Sequence, residues 1–234
     1  MRGPCIAGYL TCVDTRAETP PPTTASPDGR VVAFGPLSIE VDDTVLQPRP
    51  WTYLQSSWGA ELLASLPAGD VLELCSGAGQ IGLGAVEGSG RRLVMVDASG
   101  SACALARRNA RQVDEVVDVR EGWFDAALGD AERFVLVVAD PPWVPTQRVT
   151  DHPEDPVLAI DGGLDGLEVA RRCVKVAAHH LADDGRVLLQ LGSRDQVDVL
   201  ERTLVSAGLQ LEEVRDGGEG GSRGVVALLA PARG

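Results

Sequence analysis

The sequence predicts an α/β fold: a doubly wound, mainly parallel sheet with a small N-terminal β-hairpin extension. Three observations point there. From Asp70 onward, short Val/Leu-rich segments alternate with segments of helical period, the pattern of parallel strands covered on both faces by helices. A glycine-rich turn, Gly77–Gly82, joins the first such strand to a helix, where free N–H groups and close backbone approach favour a ligand. The last two strand-like segments are separated only by the turn Gly217–Gly221, which predicts an antiparallel pair at one edge.

Each element follows from local pattern. Residues 1–30 are expected to be a poorly ordered segment and linker, because Ala17–Arg30 is rich in Pro, Thr and Ser. Residues 31–50 form the hairpin extension, with Val31–Phe34 and Leu37–Leu46 as its strands around Gly35-Pro36. Residues 51–234 form the main domain. Trp51–Leu66 has helical apolar spacing through Leu54, Trp58 and Leu62. Strands follow at Asp70–Cys75, Arg92–Asp97, Val116–Arg120, Phe134–Asp140, Arg186–Leu191, Leu209–Val214 and Gly224–Leu229. Helices lie between them at Gln80–Glu87, Ser101–Gln112, Leu164–Leu181 and Asp195–Ala207.

Bulk properties narrow the function. With 234 residues and 44% hydrophobic content, the chain can bury a substantial core. No apolar run approaches the roughly 18 residues that cross a bilayer. The apolar patch Cys5–Leu10 is broken by Gly8 and is shorter than a signal-peptide core, so a cytoplasmic protein is expected. Cysteines 5, 12, 75, 103 and 173 are scattered and odd in number, which is neither a disulfide framework nor a zinc spacing; they read as packing residues. A net charge of −13 opposes nucleic acid and anionic membrane as partners.

Two motifs carry the chemistry. In Val71–Gly82 an acid, Glu73, stands in the strand just before the glycine loop, and Asp97 ends the next strand, twenty residues beyond Gly77. Taken literally, Gly77–Gly82 is a dinucleotide fingerprint, so a nicotinamide-dependent oxidoreductase is one reading. Glu73 argues against it. A carboxylate there repels a pyrophosphate but attracts a ligand carrying sulfonium and ammonium groups, while Asp97 accepts ribose hydroxyls from either ligand.

The second motif is Asp140-Pro141-Pro142-Trp143, after the buried strand FVLVVA. Ligands of open parallel sheets lie beyond the strands' carboxyl ends, so Asp140 is expected to share a cleft with Glu73 and Asp97. The prolines add carbonyl acceptors without N–H donors. Acceptors alone suit a substrate NH2 group, held by Asp140 and a proline carbonyl, with Trp143 stacking on its plane.

Together with Gln47–Pro50, Gly122-Trp123-Phe124 and Asp161–Leu167 (DGGLDGL), these motifs resemble the class I S-adenosylmethionine-dependent methyltransferases, and among them the HemK-like protein-glutamine N5-methyltransferases. The resemblance implies a Rossmann-like sheet of seven strands with one reversed. It implies S-adenosyl-L-methionine held by Glu73, Cys75, Gly77, Gly79, Asp97, Ala98, Gly122, Trp123 and Asp140, with adenine near Trp123. It implies acceptor contacts from Asp140, Pro141, Pro142 and Trp143, and methyl transfer to a planar nitrogen, that of a protein glutamine or of a small-molecule metabolite. Adenine N6-methyltransferases share the Asp-Pro-Pro-Trp motif, and a donor-binding module without catalysis is the remaining reading.

Four departures stand out. Asp140 replaces the family's Asn, removing a donor from the acceptor site when ionised. Trp143 replaces Tyr, and Cys75 sits where glycine is common. Bacterial members also carry a helical N-terminal domain that engages the protein substrate, whereas about 30 residues precede the hairpin here. Asp165 and Glu168 read as a capping pair at a helix start, and His152 as a solvated loop residue, with a general base as the alternative reading. No spacing suggests a metal.

Overall fold

The computed structural model describes residues 29–218 and 224–232. The N-terminal segment therefore lies, apart from its last two residues, outside the described residues, as does most of the turn Gly217–Gly221. A two-stranded hairpin comes first, β1 (Arg30–Phe34) against β2 (Leu37–Val41). Helix α1 (Tyr53–Leu63) leads into β3 (Asp70–Leu74), α2 (Gln80–Val86), β4 (Leu93–Asp97), α3 (Gly100–Asn109), β5 (Val117–Glu121), the single turn α4 (Phe124–Ala127) and β6 (Phe134–Ala139). Then come α5 (Val157–Ile160), α6 (Glu168–His180), β7 (Leu181–Leu191), α7 (Arg194–Ser206), β8 (Leu209–Asp216) and β9 (Val225–Pro231).

The seven strands of the large sheet are ordered β5-β4-β3-β6-β7-β9-β8. Strand β9 is antiparallel to both its neighbours, while the pairs among β3 to β7 are parallel. The expected doubly wound sheet with one reversed strand is thus present. The reversed strand is β9, inserted beside β7, and β8 takes the edge.

Period-two alternation splits the core into two layers. Val71, Leu93, Met95, Leu136 and Val138 face the hairpin with α1, α2 and α3. Leu72, Leu74, Val94, Val96, Val137 and Ala139 face the other way and pack with residues of α4, α6 and α7.

Several boundaries differ from expectation for local reasons. The helix expected from Leu164 begins at Glu168, because Gly163 and Gly166 adopt left-handed backbone at φ 90° and 77° and hold the chain out of a helix. The strand expected from Arg186 begins at Leu181, with a register irregularity against β6 between Phe134 and Leu136. The second hairpin strand stops at Val41, five residues early. In α1 the buried face is Gln55, Ser56, Trp58, Gly59 and Leu63, rotated from the apolar stripe. Gln55 explains the rotation: its Nε2 donates to the carbonyls of Ala139 and Leu188 at 3.0 and 2.9 Å, joining β6 to β7 immediately before Asp140.

Candidate active site

The carboxyl ends of β3, β4 and β6 meet where the strand order reverses, and a cavity of about 500 Å³ opens there. Its floor is Cys75, Ser76 and Gly77 after β3, Asp97, Ala98 and Ser99 after β4, and Asp140 with Pro142 after β6. Three further segments wall it: Thr44–Leu46 beyond the hairpin, Trp123-Phe124 at the start of α4, and Val157–Ala159 of α5.

Asp97 is built for a double task. One carboxylate oxygen accepts the Gly77 N–H and the other the Ser99 N–H, each at 2.8 Å. The side chain therefore clamps both loops, and lone pairs remain for a ligand's hydroxyls. Burial raises its pKa, opposed by those N–H bonds. Close by, Ser76 Oγ and Gln80 Oε1 are buried without a hydrogen-bond partner, although both residues line the cavity. A Cβ on Gly77 would meet nothing within 4 Å. Orphaned polar atoms beside open backbone are what a polar ligand satisfies.

Glu73 is placed differently from the sequence expectation. It shares the face of Val71, so its side chain runs under α2, where Oε1 accepts the Gly82 N–H at 3.1 Å. It is 2% exposed and does not line the cavity. A side chain on Gly82 would collide with Oε2, so this glycine is the one that lets α2 sit on a carboxylate. Oε2 itself has no partner. Burial first, with the charges of Asp140 and Asp97 adding, pushes Glu73 up to about 8. Asp140, half-buried in the cavity wall, is pushed by loss of water to about 7. The three acids form one electrostatic group, but only Asp97 and Asp140 are in direct reach of a ligand.

The Asp140–Trp143 loop is zipped to the segment before α6. Val144 and Asp161 form a parallel bridge, with Val144 N–H donating to Ile160 and Gly162 N–H to Val144, each at 2.9 Å. Asp161 accepts from Thr146 Oγ1 and from Gly163 N–H. The expected pairing of Asp165 and Glu168 takes a related form. Asp165 accepts the Leu167 N–H, Glu168 reaches back to the Leu164 N–H, and Arg171 holds Asp165. Arg49 pairs with Asp155 at 2.7 Å, tying the start of α1 to the loop that carries α5.

Of the residues singled out from sequence, Cys75, Gly77, Asp97, Ala98, Trp123, Asp140 and Pro142 line the cavity. Gly79, Gly122 and Pro141 are not lining residues: Gly79 precedes α2 in left-handed backbone, and the Gly122 N–H donates to the Asp97 carbonyl at 2.9 Å. Trp143 turns away: its ring lies against Gly192 after β7, and its carbonyl accepts from Gln196 at 3.0 Å. The expected stacking of Trp143 on the acceptor is therefore not how it is placed. Trp123 is 45% exposed, with the Arg172 guanidinium 4.6 Å from its ring centroid. His152 lies off the cavity, grouped with Glu154 and Asp155. Sequence reasoning missed Thr44–Leu46, Gln55 and α5. Only Asp161, within the DGGLDGL motif, carried a signal toward that wall.

A seven-stranded sheet with its last strand reversed, and a glycine loop and acids converging at the strand reversal, defines a class I methyltransferase fold. Residues 58–155 match the methyltransferase small domain family. The chain is 36% identical over 186 residues to the release factor glutamine methyltransferase of Deinococcus radiodurans, covering 77% of this chain and 66% of that one. It is 34% identical over 185 residues to the ribosomal protein uL3 glutamine methyltransferase of Bradyrhizobium diazoefficiens, covering 69% and 56%. Among solved structures, a methyltransferase from Pyrococcus furiosus matches with a TM-score of 0.61 at 17% identity, over 84% of this chain and 89% of that one. The chain belongs to the class I methyltransferases, in the HemK-like branch that holds these glutamine methyltransferases. It spans 56 to 66% of the length of the two curated relatives.

Proposed function

We propose that this chain is an S-adenosylmethionine-dependent N-methyltransferase acting on the amide nitrogen of a protein glutamine, with residues 51–234 as its catalytic domain. The observation that carries it is a single cavity walled by Asp97 at one strand end and Asp140-Pro142 at another. The residues fit the donor. Asp97 retains lone pairs for ribose hydroxyls and a carboxylate that favours positive charge, Ser76 Oγ and Gln80 Oε1 wait for partners, and Trp123 offers a ring face. When bound, the donor supplies a methyl group activated by a sulfonium sulfur.

The remaining work falls to this chain. An amide nitrogen attacks poorly because its lone pair is delocalised. Asp140 and a carbonyl of the following prolines accept its two N–H groups, hold its plane and draw off the positive charge that develops on attack. Asp140 also stands where the proton shed by the methylated nitrogen must go. Walls from α5 and Trp123 supply apolar surface beside the reactants, and holding both reactants in line removes roughly 7–11 kcal/mol of barrier. The acceptor in view is a glutamine because the two curated relatives are named for glutamine methylation.

The test is transfer of a labelled methyl group from the donor into cell lysate, split into macromolecular and small-molecule fractions. Label in protein at glutamine supports the proposal; label confined to small molecules replaces the acceptor with a metabolite. Calorimetry separates the cofactor readings, since S-adenosylhomocysteine binding without NAD binding is expected.

A further inference from the structure

We propose that Cys75 and Cys173 form a redox-active dithiol beneath the cavity, and that its oxidation to a disulfide by a hydroperoxide closes the donor site. The gating half rests on the donor reading above; the chemical half does not.

Cys75 is the only non-glycine among the described residues with positive φ, at 57°. That conformation is strained for a residue with a Cβ and persists only where surroundings impose it. Its thiol is directed at α6, where Cys173 Sγ lies 3.9 Å away. The two are 98 positions apart in sequence, so the fold alone makes them neighbours. Both are free thiols. Cys75 is half-buried and lines the cavity, whereas Cys173 is 1% exposed. A small oxidant entering the cavity reaches Cys75 first, and Cys173 is placed to resolve it. Cys103 offers the contrast: it is buried, with its Sγ within 3.6 Å of the Asp97 carbonyl.

The chemistry balances. The Cys75 thiolate attacks one peroxide oxygen, forming S–O and breaking O–O, with hydroxide leaving and taking up the thiol's proton as water. Cys173 then attacks the sulfenic sulfur, forming S–S and releasing a second water. Two thiols lose two electrons and two protons to one peroxide. The Cys173 thiol and burial raise Cys75 well above the ordinary thiol range, so the reaction is slow at neutral pH and faster as pH rises. The pair answers sustained oxidant and is not a peroxide scavenger.

Bond formation has a structural consequence. The sulfurs must close from 3.9 Å to about 2 Å, drawing Cys75 toward α6. Ser76 and Gly77 follow directly in the chain, and the Gly77 N–H is locked to Asp97. Packed interiors do not absorb such a shift locally, so it passes into the floor that meets the donor.

The experiment treats the full-length protein with hydrogen peroxide, maps disulfides by peptide mass spectrometry and measures S-adenosylhomocysteine affinity by calorimetry before and after. A Cys75–Cys173 cross-link, affinity lowered by about tenfold or more and recovery with dithiothreitol are expected; so is slower cross-linking when S-adenosylhomocysteine is bound first. Cys173→Ala, outside the cavity wall, should bind S-adenosylhomocysteine as the parent does before oxidation and form no Cys75 cross-link after it. No cross-link, or oxidation of Cys75 stopping at sulfinic acid, overturns the dithiol. A cross-link with unchanged affinity overturns the gating. Untreated protein that fails to bind S-adenosylhomocysteine overturns the donor reading and the gating with it, while the peptide map still decides the dithiol.

Discussion

Gly166 stands so close to the carbonyl oxygen of Trp143 that a Cβ added to it would lie 2.5 Å away. Its φ of 77° is itself one that side chains resist. Gly162 is similarly placed against the Pro142 carbonyl, at 2.7 Å. The two motifs most specific in the sequence, DPPW and DGGLDGL, are thus two halves of one object, and the glycines are where they touch.

Gly166→Ala should therefore act on the acceptor half of the cavity. Left-handed strain and contact with backbone oxygen together are expected to cost about 2 kcal/mol or more. Urea denaturation measures that loss. Turnover should fall further than S-adenosylhomocysteine affinity, because Asp97 and the glycine loop stand on other strands. Equal loss of both would mean that the segment serves the whole fold and not the acceptor loop.

Asp97→Ala addresses the donor half. It removes the acceptors for ligand hydroxyls in the proposed complex, and it also frees the Gly77 and Ser99 N–H groups that the carboxylate now holds. Donor affinity should drop by roughly 1–3 kcal/mol, as for loss of charged hydrogen bonds. Calorimetry with S-adenosylhomocysteine checks it, and unchanged affinity would remove Asp97 from the donor site.

The sheet was legible in the sequence because buried parallel strands are continuous Val/Leu runs and each is followed by a helix with its own period. The convergence of Asp97 and Asp140 follows from topology, since β4 and β6 lie on either side of β3 with their carboxyl ends at the same edge of the sheet. What was hidden is long-range or short-period. Helix α5 is four residues, VLAI, too few to display a helical period. Gln55 carries no signal in the apolar spacing of its helix, yet it bonds two strands 84 and 133 positions away. The charge of Glu73 suggests an acid facing the ligand, but Leu74 follows it within β3, and alternation sends the carboxylate under α2. The chemistry of Trp143 suggests stacking, whereas its direction is set by Gly192, which leaves room for the ring.

Glu73 makes a stability prediction whose sign is opposite to that of most acids. Its folded pKa, about 8, lies above the ordinary carboxylate value, so it is neutral in the folded protein through neutral pH and must be ionised in the unfolded chain. Its contribution is fully present below the unfolded pKa and is lost as pH rises through about 8. Glu73→Gln keeps an acceptor for the Gly82 N–H and carries no charge. The variant should unfold at a higher temperature than the parent at alkaline pH and show no such advantage in acid. A parent whose margin over the variant grows with pH would place the charge in a stabilising pair that the structure does not contain.

Asp140 makes the matching prediction for catalysis. Burial pushes it to about 7, so the protonation state that meets the acceptor changes within the working range of pH. Above that value the carboxylate only accepts hydrogen bonds, which suits an NH2 group and a departing proton; below it the carboxyl also donates. Turnover under subsaturating acceptor should rise with pH through about 7 and then level. Asp140→Asn has no proton to lose there, so its profile should be flat between about pH 5.5 and 8.5, with activity retained in part because one acceptor oxygen remains. Asp140→Ala should abolish turnover while S-adenosylhomocysteine affinity stays within a few-fold. Labelled-methyl transfer across pH for the three proteins tests the set. A parent profile as flat as that of Asp140→Asn would mean that the titration of Asp140 plays no part in the chemical step, and residual turnover in Asp140→Ala near the parent's would remove it from the acceptor site altogether.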